Sequence, residues 1–497
     1  MTDGARDEEG GGASAAAPGT DAAPAVESAP LVELASTAAA APAVESVPPV
    51  DLGRRRFFRQ LAAEVFQATA TVVGAATALQ QTSIQAASAI LDPGSGLTGI
   101  GATSSATANL VQGSPAGFRT AFRMEADRLV LVDQRFLPGQ LLEFECRTGA
   151  DVAWAIREMV IGGAPAIGQV AAYGIALTAR RLAGSGPVVR QATIGATATS
   201  LRAARSTPAS LGWAMERMLA RLETVGPLVE DGSVIADALR AEADAICFEA
   251  TRDHGLLANH GLAVLPRPAD RPLRVLVHGH GGQLAGGQFG TILGVIQAAA
   301  QAGREIQVHV DETRPYLEGA RLTAWELEQA GLHYTLIADA AAGALLASGL
   351  VDVVLVGADR IAANGDAATT IGTYPLAVLA ARHGVPLYAC VPLNLIDPAS
   401  ADGAALPIEE RRASDLLEFK GQWTAPATAP AWNPLYDVTP ANLIAAFITE
   451  EGALRAPFGP TLAEALAAKR LRMVPPPPWV GFVDDAQRPL GVGASGH

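Results

Sequence analysis

Two histidines and an aspartate are the residues of this chain best placed to do chemistry. His278 and His280 alternate through the glycine-crowded stretch VLVHGHGGQLAGGQFGT, Val275 to Thr291, and Asp359 closes the apolar run VDVVLVGAD. A glycine-rich turn after a strand cradles phosphate when it carries a lysine, yet the only lysines are Lys420 and Lys469, neither in such a loop. Both lie in polar or helical surroundings and are expected to point to water, which argues against a Schiff-base lysine. His-x-His, together with His309 and Asp311 in IQVHVDE, offers nitrogen and oxygen ligands of the kind zinc takes. Alternation along a strand lets only one register aim His309 and Asp311 at His278, so the reading favours no metal. Proton transfer is the remaining chemistry. An imidazole changes charge near neutral pH, and a carboxylate closing a buried apolar strand needs partners. Asp359 either works as an acid or base, or it pairs with Arg360 or caps the next turn. Cys390, near the end of VPLYACVP, lies where a thiol would reach a pocket edge, but free cysteine is commonly a small buried core residue. Cys146, Cys247 and Cys390 are too dispersed for a metal knuckle or a disulfide framework, which fits a reducing cytoplasm.

The elements that must position these residues are legible in the pattern. Five short apolar runs, RVLVHG, IQVHVDE, HYTLIAD, VDVVLVGAD and VPLYACVP, alternate with helical patterns after LPRPADRP. Near-continuous apolar strands separated by helices predict an α/β fold with a parallel sheet covered on both faces. Ligands bind such a sheet beyond the carboxyl ends of its strands. Each run stops in polar residues there: 278–282, 311–315, Asp339, 357–366 and 392–397. Five such loops converging on one edge are expected to build one pocket.

The rest of the chain divides by composition. Residues 1–50 are Ala, Pro, Gly, Ser and acidic residues that cannot bury enough surface to offset chain entropy, so a disordered tail is expected. In 51–92, Phe58, Val65, Val72 and Leu79 repeat every seven residues, as in an amphipathic helix seeking a partner helix. The opening Arg54, Arg55, Arg56, Phe57, Phe58, Arg59 also fits a twin-arginine export pattern, but Glu64, Gln67, Gln80 and Gln81 interrupt the apolar region that a signal needs. A Gly, Ser and Thr linker occupies 93–117, a mainly helical domain 118–262, a Rossmann-like domain 263–475, and a Pro-rich tail 476–497. No run reaches the roughly 18 apolar residues of a membrane span. The net charge of −14 opposes a grip on nucleic acid or anionic lipid, because phosphate neutralisation needs a basic surface.

VDQRFLP (132–138), MVIGGAPAIGQVAAYG (159–174), ETRPYLEGARLTAWEL (312–327), VGADRIAANGD (356–366), IGTYPLAVLA (371–380), LPIEER (406–411) and NPLYDVTPANLIAAFITEEG (433–452) occur in order over roughly 123–452. In these segments the chain resembles the methylthioribose-1-phosphate isomerase family, relatives of the alpha, beta and delta subunits of the guanine-nucleotide exchange factor for translation initiation. The resemblance implies a small helical domain before a Rossmann-like domain, a homodimer, and conversion of an aldose 1-phosphate to a ketose 1-phosphate in methionine salvage, with no cofactor. Asp359 matches the family's catalytic aspartate. The family's cysteine belongs at the second position of His-Cys-Asn-Ala-Gly, which here reads His278, Gly279, His280, Gly281, Gly282. A glycine transfers no proton, so acid–base help typically worth roughly 10² to 10⁴ in rate must come from elsewhere, with His280 the candidate, or be absent. In the alternative, His280 merely replaces an asparagine and hydrogen-bonds the loop. The resemblance carries substrate contacts over to Gly163, Ala164, Arg205, His278, Gly279, Glu318, Thr369 and Thr370. Here Gly162 stands for the family's arginine in Arg-Gly-Ala-Pro, Thr369 and Thr370 for its Asn-Lys, and Glu318 for a glutamine. Losing cations and gaining a carboxylate opposes a doubly charged phosphate, which implies a less anionic sugar-type ligand. A noncatalytic paralogue that binds a metabolite or partner is the alternative.

Overall fold

The computed structural model describes residues 120–419 and 421–472, all within one compact unit spanning 101–497. The expected tail, amphipathic helix and linker before residue 118, Lys420 and the Pro-rich tail lie outside the described residues. A small antiparallel sheet opens the fold: β1 (Phe122–Met124), β2 (Leu129–Val132) and β3 (Glu143–Cys146). Five helices follow: α1 (Gly149–Arg157), α2 (Ala164–Arg181), α3 (Pro187–Arg202), α4 (Ala209–Val225) and α5 (Gly232–Val264). Thr148 and Asp151 close a reciprocal capping box on α1, which satisfies amide donors that a helix start otherwise leaves orphaned. Helix α2 is buried without a break from Ala164 to Ala179 because its neighbours α1, α3, α4 and α5 enclose it. Gly168 and Gly174 let those neighbours approach closely, since a Cβ would sit 2.8 Å from Ser210 Cβ at the first and 3.2 Å from Leu201 at the second.

The chain then enters the sheet. Strand β4 (Leu273–His278) leads through the short helix α6 (Gln283–Gly286) to α7 (Ile292–Gln301) and β5 (Ile306–Asp311). A π-helical turn, Gly319–Thr323, runs into α8 (Ala324–Gln329), and β6 (Tyr334–Ile337), α9 (Ala341–Ala347) and β7 (Val353–Val356) follow. Next come β8 (Arg360–Ala362), β9 (Ala367–Thr370), α10 (Thr373–Arg382), β10 (Leu387–Cys390) and β11 (Ile396–Asp397). The C-terminal part holds α11 (Ser414–Leu417), the hairpin β12 (Glu418–Phe419) and β13 (Gln422–Trp423), then β14 (Tyr436–Thr439), β15 (Ala446–Thr449), β16 (Gly452–Leu454) and α12 (Phe458–Arg472).

The main sheet has the order β16-β15-β10-β7-β4-β5-β6, parallel except for the antiparallel edge strand β16. All five apolar runs read from the sequence are strands of it, and β15 and β16 extend it beyond them. Alternate residues feed cores on opposite faces: Val275 and Val277 of β4 join one, Leu276 the other. Each such fully buried aliphatic side chain contributes about 1.5–3 kcal/mol relative to exposure. The strand order reverses direction between β4 and β7, where His278 lies opposite Val356. That switch point is where an open α/β sheet leaves a crevice at its carboxyl edge.

The segment GADRIAANGD is more than a loop. Strand β8 lies within it and pairs in a hairpin with β9 just after it, the core of a second sheet ordered β11-β8-β9-β14. Lys469, expected to point to water, is instead largely buried on α12, where its Nζ donates to Asp253 at 2.8 Å and to Glu450 at 2.5 Å. A buried amine of this kind is kept charged by two carboxylates, and its reach was invisible from the helix pattern alone.

Candidate active site

A cavity of roughly 930 Å³ opens at the switch point. Its floor is the glycine stretch after β4, and its walls are the start of α2, the π-turn, the turn after β7 and β14. Gly279, Gly163, Ala164, Arg205, His278, His280, Glu318, Asp359 and Thr370 all line it. The backbone turns sharply at Gly279, φ 79°, so the strand ends at His278 and His280 lies beyond the turn. Gly163, φ 81°, lets the start of α2 press on α6: a Cβ there would sit 2.4 Å from Ala285 Cα. Gln134 bridges the same two segments, accepting from the Gly162 amide at 3.0 Å and donating to the Leu284 carbonyl at 2.9 Å.

Asp359 follows β7 and has become the most unusual acid of the wall. Burial pushes its carboxyl up to about 7; Arg205 opposes that push, and the charges of Glu318 and Glu409 add to it. Its Oδ1 accepts from the Tyr436 hydroxyl at 3.2 Å, and that hydroxyl accepts in turn from Arg205 Nη2. Arg205 also donates Nε to Glu409 at 3.0 Å, and Glu409 holds Arg411 at 3.2 Å. Arg360 does not pair with Asp359 but turns away to Asp397 at 2.8 Å. Tyr436, Arg411 and Glu409 were not among the residues that sequence reasoning put forward as functional, although all three lie within the motifs quoted above.

The two histidines are committed differently. His278 is buried, and its Nε2–H donates to the Ile371 carbonyl at 2.9 Å, because a carbonyl only accepts. Its Nδ1 then shares the remaining proton with Asp311 Oδ2 at 3.0 Å. Burial pushes the Asp311 carboxyl up; burial also works against the charged His278 ring, but the bond to Asp311 outweighs it and holds the ring above its ordinary value, so both ring nitrogens are committed to the loop. His280 Nε2 meets Glu326 Oε1 at 2.8 Å. Glu326 also accepts from the amides of Gln283 at 2.6 Å and Leu284 at 2.9 Å, capping α6. The other ring nitrogen, Nδ1, has no partner among the described residues.

Thr369 is displaced from the expected set. Thr370 lies opposite Tyr436 and Thr369 opposite Asp437 in the β9–β14 ladder. Side chains alternate between faces, so Thr370 looks into the cavity while the Thr369 hydroxyl faces Asp437 and Thr439. Cys390 is buried in the core and also reaches the cavity, where burial pushes its thiol up to about 12 and keeps it neutral. As for metal ligands, His309 does not join His278: both of its ring nitrogens are buried without a partner. Among the described residues, His278, Asp311 and Asp339 bring ligand atoms within 4.8 Å of one another. Their atoms are mostly spent, Asp339 on the amides of Thr313 and Arg314 at 2.7 and 2.8 Å, and Asp311 Oδ1 alone is unpartnered.

A family model described as the Initiation factor 2 subunit family matches residues 160–456. The chain belongs to that family. Within it, the methylthioribose-1-phosphate isomerase of Desulforudis audaxviator is 47% identical over 347 residues, covering 69% of this chain and 96% of that protein. The protein of the same name from Pelotomaculum thermopropionicum is 43% identical over 346 residues, covering 70% and 93%. Among solved structures, 5-methylthioribose 1-phosphate isomerase from Pyrococcus horikoshii superposes with a TM-score of 0.64 at 34% identity, covering 71% of this chain and 97% of that one. The delta subunit of translation initiation factor eIF-2B from A. fulgidus gives 0.60 at 32% identity, covering 70% and 99%. The family thus joins named isomerases to translation-factor subunits on one fold, and the cavity residues decide what a member does.

Proposed function

We propose that this family member is an aldose–ketose isomerase of a sugar-type small molecule, acting on a substrate altered from the one its isomerase relatives are named for. The observation that carries the reading is Asp359, a cavity carboxyl pushed by burial to about 7 and oriented by the Tyr436 hydroxyl. An acid that titrates near the working pH both gives and takes a proton efficiently. In conversion of a free aldose a hydrogen leaves C2 and arrives at C1 while the O2 proton passes to O1; in a 1-phosphate the bond from C1 to the ring oxygen opens and that oxygen takes the proton instead, so in both cases the electrons balance without a cofactor. Asp359 is assigned the proton transfer on one side of the reacting carbons. His280, whose free Nδ1 faces no protein partner among the described residues, is assigned the other, with Glu326 fixing its ring. Gly163, Ala164, Gly279 and Thr370 provide surface and backbone for the ligand, and Arg205 acts through Tyr436 and Glu409. Incubating the purified chain with methylthioribose 1-phosphate and with unphosphorylated aldoses tests this. Ketose formed from an unphosphorylated aldose supports the reading, ketose from methylthioribose 1-phosphate alone keeps the isomerase but overturns the altered substrate, and no ketose from any refutes it.

A second reading, a noncatalytic binding paralogue, has its own support: Gly279 supplies no thiol, and the Cys390 thiol is held neutral. It predicts that Asp359→Asn leaves the protein's cellular role intact, whereas the isomerase reading predicts its loss.

A further inference from the structure

Glu318 and Arg321 stand three residues apart across the start of the π-turn, and both line the cavity. Glu318 has no hydrogen bond or ion pair among the described residues, and its carboxylate is not sealed in the core. Arg321 donates Nε to the Tyr316 carbonyl at 2.9 Å and Nη1 to the Gln134 carbonyl at 3.0 Å, which leaves Nη2 open. The other arginines of the wall are already neutralised. Arg135 grips Asp133 with two nitrogens, Arg205 and Arg411 share Glu409, and Arg412 lies between Glu158 and Asp415. Among the described residues, the wall therefore offers a ligand one guanidinium edge not spent on a carboxylate and, on the same turn, the unpartnered Glu318, with Glu418 a further carboxylate of the lining and Asp359 beyond them.

We propose that Glu318 and Arg321 select an uncharged polyol end of the substrate, one hydroxyl donating to Glu318 and its neighbour accepting from Arg321, and that they reject a phosphate group there. A carboxylate only accepts and a guanidinium only donates, so a vicinal diol completes both without adding charge. A phosphate dianion meets Arg321 but also meets Glu318, in a cavity wall where like charges repel several-fold more strongly than in water. Thr313 and Leu317, non-glycine residues at φ 61° and 55°, hold this turn in a strained conformation of the kind kept at ligand sites. The inference rests on the reading of the cavity as a sugar site.

Calorimetric titration of the full chain with D-ribose and with ribose 1-phosphate tests it, on the wild type and on Glu318→Gln. The wild type is expected to bind ribose roughly tenfold more tightly than ribose 1-phosphate, the effect of one charge-assisted contact. Glu318→Gln is expected to raise affinity for ribose 1-phosphate by a similar factor. Arg321→Met, a second variant, is expected to lose ribose affinity without gaining ribose 1-phosphate. A wild type that prefers ribose 1-phosphate, one that binds neither sugar, or variants that leave the ratio unchanged would each overturn the proposal. Because binding is read without turnover, ribose bound but never converted would sustain this inference and count against the isomerase reading. Turnover of ribose 1-phosphate would do the reverse.

Discussion

Replacing Asp359 by asparagine should make the protein more stable above neutral pH while removing its activity. The carboxyl is pushed from an ordinary 3.8 up to about 7, chiefly by burial. Between those two values the folded chain holds a proton that the unfolded chain has released, so stability falls as pH rises through that window and stays low above it. Each pH step costs about 1.4 kcal/mol and the whole window about 4 kcal/mol. The cavity admits some water to this group, and screening trims the figure to between about 2 and 4 kcal/mol. An asparagine at this position would keep the shape and can still accept from Tyr436, but it carries no charge to desolvate. Urea unfolding of both proteins across the window measures the effect: the curves should agree near pH 4 and diverge steadily until just above pH 7, with the variant more stable. A variant equal to the wild type at every pH, or a gap that opens only below pH 4, would refute the assignment of a raised carboxyl to this site.

Three other outcomes follow from the packing. Lys469→Met leaves Asp253 and Glu450 facing one another without their shared cation; a loss of about 3–5 kcal/mol in chemical denaturation is expected at neutral pH, shrinking under acid as the carboxylates protonate. Gly163→Ala forces a Cβ to within 2.4 Å of Ala285 at a positive φ, and should cost about 2–4 kcal/mol and weaken ligand binding, both readable by thermal unfolding with and without ligand. Glu326→Ala uncaps α6 and frees the His280 ring; we expect a loss of about 2–3 kcal/mol and faster amide exchange at Gln283 and Leu284, while Glu326→Gln should recover part of it.

Much of this site was written in the local pattern. VVLV and RVLVH are apolar on both faces, which only a doubly covered parallel strand explains, and their polar endings located His278, His280 and Asp359 at one edge. Thr369 and Thr370 could not be told apart locally, since which of two adjacent residues faces the cavity depends on the pairing of β9 with β14. Tyr436 reaches Asp359 across 77 positions of sequence, and Glu326 reaches His280 across 46. Glu326 sits in LTAWELEQ, where an acidic residue on an amphipathic helix reads as a solvated face. The roles of both residues arise from tertiary packing, as does the burial of Lys469. Strand β15 is short and runs straight into Glu450 and Glu451, so its sheet partner β10 rather than its composition defines it.

The most direct test of the account is carbon-13 NMR of labelled aldoses incubated with the wild type and with Asp359→Asn at neutral pH. The account predicts a ketose signal with the wild type from at least one aldose, lost by roughly a hundredfold or more in the variant, whose fold remains intact. A wild type that forms no ketose, or a variant that forms it as fast, would contradict the claim that Asp359 moves a proton in a sugar isomerisation.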